Sequence, residues 1–139
     1  MNRRTLLRLG GAALLGSLAG CSAGRRNGPQ GVSMTDGFAY DPARITVPAG
    51  STVRWVNDDD VRHSVTAYAR GVPADASYFA SGGFESERAA RDDIGGGLIA
   101  AGDAYEHTFG TPGTYDYFCV PHEGSGMTGR VAVRADRRG

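Results

Sequence analysis

Short runs of alternating polar and apolar residues, each stopped by glycine, proline or aspartate, dominate this chain from about Val32 onward. A period of two over a few residues is the mark of a strand with one buried face. Arg44-Ile45-Thr46-Val47 is one such run, closed by Pro48-Ala49-Gly50. Thr52-Val53-Arg54-Trp55-Val56 is the next, ending in Asn57 and Asp58-Asp59-Asp60. His63 to Ala67, Tyr105 to Phe109, Tyr115 to Cys119 and Arg130 to Val133 follow. Twenty-two glycines and six prolines spread over 139 residues suit many short elements joined by turns, not a bundle of long helices. The length is room for one domain, and 40% apolar content is ample for its core. The expected fold is therefore all-β, an antiparallel sandwich or barrel.

Charge and cysteine content exclude other classes. Fifteen arginines balance fifteen acids, so the strongly basic face of a nucleic-acid binder is absent. Two cysteines cannot build the disulfide framework of a small secreted scaffold.

The first twenty residues read as an export signal. Arg3, Arg4 and Arg8 form a basic start, and the apolar stretch from Leu9 to Ala19 is too short for a membrane span. Arg3-Arg4-Thr5-Leu6-Leu7-Arg8 resembles a twin-arginine signal. Leu18-Ala19-Gly20-Cys21 looks like the site where a prokaryotic lipoprotein is cut and its cysteine lipidated. Residues 21–31 then form a lipidated Cys21 with a polar, flexible tether, and 32–136 the folded domain. Cleavage before Cys21 leaves twelve arginines against fifteen acids, a net charge of −3.

One segment breaks the strand rhythm. From about Ala69 to Ala101 the chain carries Ser81-Gly82-Gly83 and Gly95-Gly96-Gly97, with residues 85–93 between them suited to a short surface helix. Acids early and arginines after them match the helix dipole, although Asp92 and Asp93 at its end do not. It reads as an excursion from one end of the sandwich.

The chemistry concentrates in residues 113–133. Cys119, His122 and Met127 stand in a C-x2-H-x4-M pattern, and His63 begins a strand upstream. A thiolate, two imidazoles and a thioether are the donor set of a blue-copper electron-transfer centre. Sulfur suits copper(I) and imidazole suits copper(II), so the mixed set serves both oxidation states. Zinc would accept the Cys and His donors, but structural zinc sites rarely use methionine. A Cys119–His122 nucleophile–base pair would leave His63 and Met127 without a role. His107, the third histidine, falls in step with Tyr105 and Phe109 and reads as a packed or surface residue. Trp55 and the tyrosines read as core, Phe118 as a neighbour of an electron path, and Asp58-Asp59-Asp60 as an acidic turn or a partner-docking patch.

With Tyr115, Tyr117, Phe118, Cys119, Pro121, His122, Gly124, Gly126, Met127, Gly129 and Val131 in place, the segment resembles the cupredoxins, plastocyanin and halocyanins among them. The resemblance runs over about residues 36–133. It implies a Greek-key β-sandwich and one copper ion that shuttles single electrons, with His63, Cys119, His122 and Met127 as ligands and His122 nearest the surface. It also implies transient redox protein partners and no enzymatic reaction. The expected setting is the outer face of a prokaryotic membrane or cell envelope, lipid-anchored, with a monomer as the default and no nucleic acid. A copper storage or delivery protein is the alternative, and a structural sandwich that merely kept the loop is a third. Two residues depart from the family pattern: Arg62 stands where proline usually precedes the first histidine, and Ser64 where asparagine usually follows it.

Overall fold

A computed structural model of the chain describes residues 30–135. The export signal, Cys21 and most of the tether expected from the sequence lie outside the described residues. The first strand, β1, spans Gln30–Thr35, so the expected boundary between tether and domain falls inside it.

Seven further strands follow: β2 Ala39–Asp41, β3 Arg44–Pro48, β4 Ser51–Asn57, β5 Thr66–Ala67, β6 Ala104–Phe109, β7 Gly113–Phe118 and β8 Thr128–Arg134. They form two four-stranded sheets, ordered β2-β1-β4-β6 and β3-β8-β7-β5. The fold is the expected all-β, Greek-key-like sandwich with a minor helical element. It is not wholly antiparallel, because β1 pairs with β4 and β3 with β8 in parallel. The chain steps from one sheet to the other between β2 and β3 and again between β3 and β4. Strands that meet within a layer are therefore often not hairpin partners, which frees them to run parallel.

Alternation along each strand builds the core. Val53 and Trp55 of β4 and Val32 and Met34 of β1 point inward from one sheet. Tyr115 and Tyr117 of β7, Val131 and Val133 of β8 and Val47 of β3 meet them from the other. Trp55 lies 5.3 Å from the Tyr117 ring and 6.3 Å from Phe109, both edge-on. Burial of each such side chain contributes about 1.5–3 kcal/mol.

The excursion expected around 69–101 is present between β5 and β6. Its helix, α1, spans Glu87–Asp92, inside the expected 85–93, and the Ser86 hydroxyl caps it by accepting from the Ala89 N–H at 3.1 Å. A second short helix, α2, spans Ile94–Gly97 and takes in the three glycines that follow the expected helix. Asp93 caps it, its side chain accepting from the Gly96 N–H at 3.2 Å. A β-carbon on Gly97 would sit 2.9 Å from the Ser81 carbonyl oxygen, so glycine there lets two backbones touch.

The strand expected over 63–67 is mostly not a strand. His63 makes only an isolated bridge to Ile99, and β5 is two residues long. The reason is the destination of the N–H groups: Ser64 donates to the Cys119 sulfur at 3.3 Å and Val65 to the Ser81 hydroxyl at 3.0 Å. Donors committed to side chains cannot extend a ladder.

Topology fixes one end of the sandwich as the site. Asn57 closes β4 and leads to His63; Phe118 closes β7 and leads to Cys119; Met127 precedes β8. The pairing of Met34 with Asn57 brings the β1–β2 turn, with Phe38, to the same end.

Candidate metal centre

The loop from Cys119 to Met127 is closed by its own backbone. The Cys119 N–H donates to the Met127 carbonyl at 3.0 Å, the Met127 N–H to the His122 carbonyl at 3.3 Å, and the His122 N–H to the Cys119 carbonyl at 3.1 Å. Residues 120–125 wind as a tight helical turn with Pro121 near its start, and Gly126 leaves it at a φ of 88°. That left-handed conformation favours glycine.

These constraints bring three of the four expected donors to one point. The Nδ1 atoms of His63 and His122 are 3.2 Å apart, and the Cys119 Sγ lies 3.9 Å from the first and 3.3 Å from the second. A circle through these three atoms has a radius of about 2.0 Å, close to the 2.0–2.3 Å of metal–imidazole and metal–thiolate bonds. Three donors that share a centre at bonding distance fit a metal ion, and one soft sulfur with two imidazoles fits copper. Met127, the fourth expected donor, is fully buried where the loop returns to β8.

Burial shifts both Cys119 and His122 toward their neutral forms. Burial pushes the Cys119 thiol upward, against the pull of the Ser64 N–H, and metal binding there would release the thiol proton. Burial and the neighbouring His63 hold His122 below the usual imidazole range, leaving a neutral ring with a free lone pair.

The surroundings orient each donor. His63 and Cys119 are buried, whereas His122 is half-buried and stacks on the exposed Phe38 ring, 4.2 Å away and 11° from parallel. Phe38 itself adopts a left-handed φ of 58°. Ser64 spends all its polar groups here. Its N–H meets the thiol sulfur, its hydroxyl accepts from the Val120 N–H at 2.9 Å, and its carbonyl accepts from the Tyr40 hydroxyl at 2.5 Å.

The acidic run divides its work. Asp59 places Oδ2 2.9 Å from His63 Nε2, which fixes the ring with Nδ1 toward the sulfur. The same contact, the largest of several, holds the Asp59 carboxyl below its ordinary range. Asp58 bonds the Ser33 hydroxyl at 2.5 Å. Buried Asn57 folds the turn back: its amide donates to the Val61 and Ile99 carbonyls at 2.9 Å each, and its oxygen accepts from the Asp59 N–H at 2.9 Å. The sequence offers this run as an acidic turn or a partner-docking patch, with no separate role for each aspartate. Only the chain reversal at Asn57 makes Asp59 a partner of His63.

The remaining expectations fall as follows. His107 stays away from the centre and stacks on Phe79 at 4.8 Å, with burial lowering its pKa. Trp55, Tyr40, Tyr115 and Tyr117 are core, while Tyr68, Tyr78 and Tyr105 are half-buried. Phe118 is buried beneath Tyr68, whose ring stacks on it at 4.3 Å. No helix among the described residues is long and apolar enough to cross a membrane.

Comparison with known proteins agrees with this geometry. Residues 28–134 match the family described as copper binding proteins of the plastocyanin/azurin type. The chain is 33% identical over 124 residues to the chloroplastic plastocyanin of Tetradesmus obliquus, covering 89% of this chain and 77% of that one. Among solved structures, a purple cupredoxin from Nitrosopumilus maritimus aligns at 25% identity with a TM-score of 0.55, covering 75% of this chain and 98% of the other. A reduced amicyanin carrying a single tryptophan-to-tyrosine substitution aligns at 26% identity and a TM-score of 0.57, covering 78% and 84%.

Proposed function

The chain belongs to the plastocyanin/azurin family of copper-binding proteins, and from that premise we propose that it is a single-electron carrier with one copper ion held by His63, Cys119, His122 and Met127. The family likeness is to non-catalytic carriers, and the protein is not an enzyme. The observation that carries the reading is the convergence of His63 Nδ1, Cys119 Sγ and His122 Nδ1 on a common centre.

Copper bound there supplies one-electron exchange between its +1 and +2 states. The protein's part is to hold the donors still. Asp59 fixes the His63 ring, Ser64 ties the His63 segment to the thiol and to Val120, and the loop's internal bonds fix His122. Donors fixed in advance change little between oxidation states, which suits rapid transfer and not release of the metal. His122 is the one donor of the four that is not fully buried, so electrons pass through its edge and the Phe38 ring beside it. Partners are redox proteins that dock briefly over this end, since small transient contacts suit a shuttle. Export and lipidation at Cys21 would hold the domain at the outer face of a prokaryotic membrane.

Repeated electrochemical cycling with a copper(I) chelator present tests the carrier reading against storage or delivery. A carrier keeps its copper through many reversible one-electron cycles. Loss of the signal within a few cycles as the chelator takes the metal would favour delivery.

A further inference from the structure

The excursion between β5 and β6 touches His63 at one end and Glu123, the residue after His122, at the other. At one end, the Ile99 N–H donates to the His63 carbonyl at 2.7 Å, and the His63 N–H returns to the Ile99 carbonyl at 3.3 Å. The Asn57 amide joins the same Ile99 carbonyl at 2.9 Å. At the other end, Arg91 of α1 reaches Glu123, the residue after His122. Its Nη1 and Nη2 donate to the two carboxylate oxygens at 2.8 and 3.2 Å. Arg91 Nε donates to Glu87 at 2.8 Å, and Glu87 in turn accepts from the Ala69 N–H at 2.8 Å. The Tyr68 hydroxyl donates to Glu123 at 2.6 Å. The Arg91 guanidinium also lies 4.3 Å over the ring of Phe118, beside Cys119.

An isolated surface ion pair contributes little, but a two-pronged arginine–carboxylate contact within a network is the exception. Glu123 receives three donors from the excursion side, and apart from the contacts of Cys119 and Val120 with Ser64 the loop is closed by its own backbone. The core does not need this contact, because α1 buries only Ala90.

We propose that the excursion is a clamp that holds His63 and His122 in their ligating positions before the metal arrives, and that Arg91 is the positioning residue that closes it on the metal loop. The inference rests on the copper reading above. The clamp makes the loop a rigid part of the sandwich, so that neither copper binding nor electron transfer has to order it.

Amide hydrogen exchange of the metal-free protein, with copper release from the loaded one, tests the clamp. Arg91→Leu keeps most of the apolar stem and removes the guanidinium. The Gly126 and Met127 amides, bonded within the loop, should exchange about tenfold faster, as loss of about 1.4 kcal/mol of local closing free energy gives. Amides of β4 and β8 should be unchanged. Transfer of copper(I) to a chelator should quicken by a similar factor. Arg91→Lys should recover part of both, Glu123→Gln should imitate Arg91→Leu, and the double variant should add nothing. Unchanged loop exchange in Arg91→Leu overturns the clamp. A uniform rise in exchange through β4 and β8 also overturns it, since Arg91 would then be a general stabiliser. If the unaltered protein shows no Cys119-dependent copper band, the copper reading fails, while loop exchange in the metal-free chain still decides the clamp.

Discussion

Ser64→Ala isolates the one family departure that lies inside the centre. The serine hydroxyl accepts the Val120 N–H at 2.9 Å and so joins the His63 segment to the loop that carries Cys119 and His122. The substitution leaves the backbone bonds intact: the Ser64 N–H still faces the Cys119 sulfur and its carbonyl still accepts from Tyr40. What is lost is the partner of one backbone donor. An unmet buried donor costs about 1–3 kcal/mol, and because Val120 is half-buried the lower half of that range applies, about 1–2 kcal/mol. For a domain of this size each kcal/mol lowers the melting temperature by roughly 4–8 °C. Thermal and urea unfolding of the metal-free protein measures it. Ser64→Asn, which restores an acceptor of the family type, should recover most of the loss. The blue band of the copper form should survive Ser64→Ala, because the N–H to sulfur contact belongs to the backbone. A Ser64→Ala protein as stable as the original, within about 0.3 kcal/mol, would refute the claim that this hydroxyl ties the two halves together.

Further consequences can be checked alongside. A β-carbon on Gly129 would lie 2.4 Å from the ring of buried Tyr117, so Gly129→Ala should cost about 1–3 kcal/mol in denaturant unfolding despite its better strand backbone. Asp59→Asn keeps an acceptor for His63 but removes the charge that favours the more highly charged copper state, so redox titration should show a higher potential; an unchanged or lower one would contradict the role given to Asp59. Burial lowers the His107 pKa in the folded protein, so the unfolded chain binds the proton first. His107 therefore costs no stability above its unfolded pKa of about 6.5 and weakens the fold progressively as pH falls below that value. His107→Phe should remove this part of the acid slope when unfolding midpoints are compared at several pH values.

What the sequence made legible follows from how local each signal is. β3, β4, β6, β7 and β8 were readable because alternating β-branched and aromatic residues specify both a strand and its buried face within a few positions. β2 was not, since three residues after a glycine turn carry too little pattern. The sequence 63–67 looks like a strand, yet the Ser64 and Val65 donors go to a thiol and a hydroxyl from distant segments, which no local window can reveal. The glycines of α2 have poor helix propensity; an Asp93 cap and close contact with Ser81 and Phe84 hold them in a helical turn. At the site, His63, Cys119 and His122 could be found because sulfur and imidazole are scarce in this chain and chemically distinctive. Asp59, Phe38, Ile99 and Arg91 could not. Aspartates, aromatics and arginines are common, and only the tertiary fold brings the first three to the ligand histidines and Arg91 to Glu123 beside one of them.

The most direct test of the central claim is the visible and electron paramagnetic resonance spectrum of the protein loaded with one equivalent of copper(II), beside Cys119→Ser. An intense blue thiolate-to-copper band with narrow copper hyperfine splitting, abolished by the substitution, is the predicted result. A pale, ordinary copper(II) spectrum that Cys119→Ser leaves unchanged would contradict it.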